Sequence, residues 1–128
     1  MDQGLSKEET RKQRIRERAL IVSKRPSRVG KSEPANWYVA ETELAISGDK
    51  EVLVARAVQR AMAGVNYPND APDNTKLRVD IGSREYLNAE VAELLSTELI
   101  RVSEGYLNSV FPPTKGDLIA VVVAHISK

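Results

Sequence analysis

The stretch LIAVVVA, residues 118–124, is the longest uninterrupted apolar run in this chain, and four of its seven residues are β-branched. A Gly-Asp pair at 116–117, typical of a turn, precedes it, and the polar residues Ser127 and Lys128 end the chain. A run of this length and branching is typical of a β-strand covered on both faces. We therefore expect residues 118–124 to form an interior strand of a sheet.

The periodicity of apolar residues predicts four more elements between the linker and this strand. They are a strand at 37–46 with Glu41 and Glu43 on its solvated face, a helix from about 51 to 63, a strand at 77–81, and a helix from about 85 to 107. The order strand, helix, strand, helix, strand predicts an α+β or α/β protein, a small two-layer sandwich with both helices on one sheet face. Parallel and antiparallel strand orders both fit. The second face of the last strand needs cover from the N-terminal helix or from a second subunit.

The N-terminal segment is predicted to be a helix followed by a linker. Ser6 and Glu9 match a capping box, so a helix is expected from about Lys7. Its first two turns carry no large apolar residue, and the segment 19–22 fits a short strand equally well. Residues 24–36 contain two prolines and a glycine and are typical of a linker. The predicted domains are thus a basic arm at 1–36 and an α/β body at 37–128.

The net charge of +1 conceals an uneven distribution along the chain. Residues 1–31 hold ten Lys and Arg against four acids, a net +6, whereas the other 97 residues hold nine bases against fourteen acids, a net −5. A basic arm on an acidic body is typical of proteins that bind polyanions or that pair with one another.

The arm supplies the candidate binding residues. Arginine side chains make forked contacts to phosphate, and Arg11, Arg14 and Arg18 are expected on one side of the helix. The arm has no aromatic residue for stacking on bases, and Trp37 and Tyr38 are the nearest. The predicted phosphate contacts, which carry no sequence preference, are Lys7, Arg11, Lys12, Arg14, Arg18, Lys24, Arg25, Arg28 and Lys31.

Two hypotheses of function follow from the charge distribution. In the first, the chain is a non-enzymatic, nucleic-acid-associated protein whose arm becomes ordered on DNA or RNA. In the second, it is an assembly protein, such as a coat or scaffold subunit of a virus, whose arm packs on the acidic body of a neighbouring copy. A small inhibitor-type module that binds a protein is a further alternative.

Other motifs do not reach the pattern that their chemistry requires. Gly30-Lys31-Ser32 resembles the end of a phosphate loop, but Arg25 stands where that pattern needs a glycine. Residues 69–74 have the composition of a calcium loop without its order. Glu41, Glu43 and Asp80 lack a partner spacing typical of a catalytic metal site.

The composition excludes several further classes of site. There is no cysteine, and the single histidine, His125, has no nucleophile at a recognisable spacing. No catalytic residue, metal, cofactor or small-molecule substrate is therefore predicted. No apolar run approaches the roughly 18 residues of a membrane span, and the N-terminus is polar. We expect a protein of the cytoplasm or of a particle interior, neither secreted nor in a membrane.

Overall fold

The computed structural model describes residues 7–98 and 100–127, and within these ranges the protein is helical with no sheet. The predicted α+β or α/β sandwich is therefore wrong. The elements are α1 (Lys7–Ser23), a 3-10 turn (Pro26–Arg28), α2 (Glu33–Ile46), α3 (Lys50–Gly64), α4 (Ile81–Ser96), α5 (Glu104–Val110) and α6 (Lys115–Ile126). The β pairing in the described residues is one isolated antiparallel bridge between Lys76 and Thr114.

The chain divides into two compact units, and the division falls inside α3. The first unit ends at Leu53, and the second begins at Val54. The boundary predicted between residues 36 and 37 stays a prediction about domains. In the structure the arm residues from Lys7 onward belong to the same unit as residues 37–53.

The apolar run 118–124 forms the middle of α6 instead of a strand. Thr114 caps the helix, because its side chain accepts a hydrogen bond from the Asp117 N–H at 3.2 Å and donates one to the Asp117 carboxylate at 2.9 Å. Leu118, Ile119 and Val122 are buried, which is helical spacing rather than strand alternation. β-Branching lowers helix propensity by only about 0.5 kcal/mol per residue, so a cap and a buried face outweigh it.

The predicted strand 37–46 lies within α2. Ser32 caps this helix by accepting the N–H of Ala35 at 3.3 Å, and Pro34 stands in the first turn, where a missing N–H has no cost. Strand alternation with Glu41 and Glu43 on the solvated face requires Tyr38, Ala40 and Ile46 to share the opposite, buried face. In the structure Ala40 is buried, whereas the other two are exposed.

The predicted strand 77–81 is an irregular segment that ends in a helix cap. The side chain of Leu77 is buried, whereas Val79 and Ile81 are exposed. Asp80 caps α4, because its carboxylate accepts the Ser83 N–H at 3.1 Å. Hydrogen bonds from the side chain and then from the backbone N–H of Ser83 lower the pKa of Asp80.

Three helical predictions have different outcomes. The helices from Lys7 and at 51–63 are confirmed as α1 and α3, and residues 19–22 are helical. The helix predicted from 85 to 107 is instead α4 and α5, separated by residues 97–103. Ser103 begins the second helix by accepting the Tyr106 N–H at 3.1 Å. Ser6, in the predicted capping box, and Leu99, in the predicted apolar stripe, lie outside the described residues.

Each unit has its own buried side chains. In the first unit, Ile15 from α1, Ala40 from α2 and Val52 from α3 form a cluster, against which Trp37 packs. The second unit buries leucines and valines of α4, α5 and α6, namely Leu87, Val91, Leu95, Leu107, Leu118 and Val122. Across residues 7–98 and 100–127, no helix combines the length and apolar character that crossing a bilayer requires.

Candidate nucleic-acid interface

The arginines of the first half of α1 face carboxylates of their own unit. The Nε of Arg14 lies 2.8 Å from Asp49 Oδ2, and its Nη2 lies 3.3 Å from Asp49 Oδ1 and 3.5 Å from Glu51. The side chain of Arg11 is only 5% exposed, and its Nη1 lies 3.9 Å from Glu51. The polar first half of α1 is therefore stabilised by ion pairs where an apolar face is lacking.

Glu43 of α2 binds two further arginines that were predicted to contact phosphate. Arg25 donates from Nη1 to Glu43 Oε2 at 2.5 Å and from Nη2 to Glu43 Oε1 at 2.9 Å, which is a forked pair. Arg18 Nη1 lies 3.6 Å from Glu43 Oε1. The hydrogen bond from Arg25 holds the pKa of Glu43 below its ordinary value, and the same bond raises the pKa of Arg25. Glu43, read from the sequence as part of a solvated strand face, is instead half-buried and paired.

The segment between α1 and α2 carries a further group of cations, two of which are exposed. We name residues 24–31 the cationic turn, since they hold Lys24, Arg25, Arg28 and Lys31 and no acid. Lys24 and Lys31 are exposed, and neither ammonium group pairs with a carboxylate of the described residues. Arg28 is half-buried and donates from Nε to the side-chain oxygen of Asn36 at 3.0 Å.

Backbone hydrogen bonds fix the shape of the cationic turn. The N–H of Arg28 donates to the carbonyl of Arg25 at 2.9 Å, and the N–H of Lys31 donates to the carbonyl of Arg28 at 3.1 Å. Gly30 has a φ of +82°, a left-handed conformation that glycine adopts without strain. The cations of the turn are thus presented by an ordered backbone.

The nine predicted residues do not form one surface. Lys7 and Lys12 lie at the start of α1, where Lys12 Nζ is 3.7 Å from Glu8 Oε2. A helix rises about 1.5 Å per residue, so the start of α1 and the cationic turn are about 24 Å apart. Trp37 is partly buried against the core and Tyr38 is 47% exposed, so Tyr38 is the more accessible of the two aromatic side chains.

The acidic partners Glu43, Asp49 and Glu51 are not among the site residues predicted from the sequence, although the nearly balanced charges of arm and body were their signal. Counted by structural unit, residues 1–53 hold eleven bases and nine acids, a net +2, and residues 54–128 hold eight bases and nine acids, a net −1. The strong asymmetry along the sequence therefore becomes a weak one between folded units. The cationic turn is thus a local concentration of positive charge on a unit whose net charge is small.

No protein-family model, curated protein or solved structure is significantly similar to this chain. The described residues contain no group of three or more acidic or histidine side chains placed to hold a metal ion.

Proposed function

We propose that this protein is a non-enzymatic binding protein that contacts the phosphate backbone of DNA or RNA through the cationic turn. The single observation that supports the proposal is the concentration of four bases without an acid in eight residues. Arg25 is paired with Glu43, which leaves Lys24, Arg28 and Lys31 for phosphate. We also propose that the protein is located in a cytoplasm or inside a particle.

The chemistry of such an interface is electrostatic and independent of sequence. Lysine ammonium groups at the surface attract phosphate and release condensed counterions, but they do not read base edges. With three phosphate contacts, the slope of log affinity against log salt is expected to be about −2.7 on duplex DNA and about −2.1 on single-stranded RNA.

The test is fluorescence anisotropy of a labelled duplex of about 20 base pairs, titrated between about 50 and 200 mM salt. The variant Lys24→Gln with Lys31→Gln removes two of the three contacts and is expected to reduce the slope to about −0.9. The matched control, Lys7→Gln with Lys12→Gln, removes the same charge from the other end of α1. Equal losses in both double variants, or no binding by the intact chain at about 50 mM salt, contradict the proposal.

Self-association through the basic segment and an inhibitor-type role stay predictions. The ion pairs of Arg11, Arg14, Arg18 and Arg25 within the first unit occupy groups that the self-association hypothesis needs for a neighbour. Light scattering at low salt tests it directly, since it requires a mass above that of the monomer.

A further inference from the structure

The second unit contains a cavity of about 350 Å³ between the start of α4 and the end of α5. Its lining residues are Ile81, Arg84, Glu85, Asn108 and Phe111. The volume lies at the lower end of the range for small-ligand sites. It has room for a compact organic molecule or for the last residue of a polypeptide.

A buried arginine forms one wall of this cavity. Arg84 is 2% exposed, and it donates from Nη1 to the Arg78 carbonyl at 3.2 Å and from Nη2 to the Pro112 carbonyl. Its Nε has no hydrogen-bond partner, and no carboxylate of the described residues pairs with its guanidinium. Burial lowers the pKa of Arg84, yet a guanidinium remains charged near neutral pH.

This buried charge is compensated only in part. Two carbonyl dipoles and the ring of Phe111, whose centroid lies 3.9 Å from the guanidinium carbon, are its neighbours. A cation removed from water without a counter-ion is unfavourable, and an anion beside it relieves that cost.

The other walls define what the anion must carry. Ile81 is 67% exposed and Phe111 is 37% exposed, so apolar surface borders the cavity. Phe111 ends α5 as its C-cap with a φ of +46°, a left-handed conformation that is uncommon for a bulky residue but frequent at helix ends. Asn108 accepts a hydrogen bond from Asn88 Nδ2 at 2.7 Å on its oxygen, which leaves its own amide N–H groups to donate.

We propose that this cavity binds a carboxylate carried by a compact apolar group, with Arg84 opposite the anion, Asn108 as a donor, and Ile81 and Phe111 against the apolar part. Glu85 lines the same cavity, and its carboxylate repels any second negative charge on the ligand, so a monoanion is favoured over a phosphate dianion. The site is independent of the cationic turn and of the function proposed for it.

The test uses hexanoate as the probe, titrated into the full chain and followed by amide chemical shifts. Saturable shifts are expected at Ile81, Glu85 and Asn108. Hexanamide, which has the same shape without the charge, is expected to bind at least about ten-fold more weakly, because it lacks the interaction with the guanidinium.

Two variants separate a binding role from a structural one. Arg84→Met removes the cation and is expected to abolish hexanoate binding, but it also removes two hydrogen bonds that support the fold. Glu85→Gln changes an exposed side chain and is expected to tighten hexanoate about three-fold with no effect on hexanamide. Glu93→Gln, an exposed position of α4 outside the cavity, is the control and leaves both affinities unchanged.

Peptides that end in leucine, with a free or an amidated C-terminus, identify the source of the carboxylate. Binding of the free-acid peptide indicates a chain terminus, whereas binding of hexanoate alone indicates a small free acid. Equal affinity for hexanoate and hexanamide, shifts confined to other residues, or no tightening by Glu85→Gln overturns the proposal.

Discussion

The ion pair between Arg14 and Asp49 tests whether the arginines of α1 stabilise the fold or contact phosphate. Arg14 was predicted from the sequence to contact nucleic acid, whereas the structure joins it to Asp49 through two hydrogen bonds. Replacing Arg14 with Gln is therefore expected to lower stability and to leave nucleic-acid affinity unchanged. A double-mutant cycle with Asp49 measures the contribution of the pair.

The expected magnitudes follow from burial and from the two roles of Asp49. The side chains are 34% and 20% exposed, so solvent screening limits the pair to about 0.5–1 kcal/mol despite its forked geometry. Asp49 Oδ1 also accepts the Val52 N–H at 3.1 Å at the start of α3, a cap that contributes about 1 kcal/mol. Asp49→Asn retains the cap and loses the charge, so it should cost about 0.5–1 kcal/mol, and Asp49→Ala about 1.5–2 kcal/mol.

The assay is urea unfolding followed by fluorescence of Trp37, the single tryptophan, which packs against the core of the first unit. Arg14→Gln combined with Asp49→Asn should cost less than the sum of the single variants by about 0.5–1 kcal/mol. Duplex affinity and its salt dependence should match those of the unmodified chain. Unchanged stability of Arg14→Gln together with a salt slope weakened by about 0.9 would refute the reasoning.

Two further predictions concern stability. Lys115 is buried and donates from Nζ to Gln59 Oε1 at 2.6 Å and to the Ala71 carbonyl at 2.5 Å. Lys115→Met should therefore lower the free energy of unfolding by about 2–4 kcal/mol, measured by urea titration followed by circular dichroism, and a loss below about 1 kcal/mol contradicts these contacts. Because the folded pKa of Glu43 is depressed by Arg25, its stabilisation is present above its ordinary pKa of 4.5 and is lost as pH falls through the lower folded value. The stability margin of the native chain over Glu43→Gln should therefore be largest near neutral pH and shrink in acid, and a margin that stays constant into acid argues against the pair.

The helices predicted correctly from the sequence are those in which the apolar periodicity and the residues at the helix ends indicate the same element. α3 combines buried residues such as Val54, Val58 and Met62 at helical spacing with Asp49 before its first turn. α1 begins at Lys7, where the capping-box pattern of Ser6 and Glu9 predicted it. In both helices, local propensity and tertiary packing favour the same structure.

The wrong predictions arose where β-branched or alternating residues outweighed capping signals. Thr114 and Asp117 form a capping pair ahead of α6, but the Gly-Asp sequence beside them was interpreted as a turn into a strand. Ser32 and Pro34 likewise mark the start of α2 within a segment interpreted as a linker. Whether such a segment forms a helix or a strand depends on which of its faces is buried, and that burial depends on partners distant in sequence.

The candidate sites were less predictable than the helices. The positive charge of residues 1–31 was evident, but its pairing with Glu43, Asp49 and Glu51 depends on how α1, α2 and the start of α3 pack. The pairing of a charge is a three-dimensional property, so composition alone assigned all nine cations to one role. Arg84 carries no distinctive sequence signal, because its character comes from burial beside Phe111.

The salt dependence of nucleic-acid binding tests the central claim most directly. A slope of about −2.7 on duplex DNA for the intact chain, reduced to about −0.9 by Lys24→Gln with Lys31→Gln and unchanged by Lys7→Gln with Lys12→Gln, is the predicted result. Equal slopes for the intact chain and the Lys24/Lys31 variant would contradict the assignment of phosphate binding to the cationic turn.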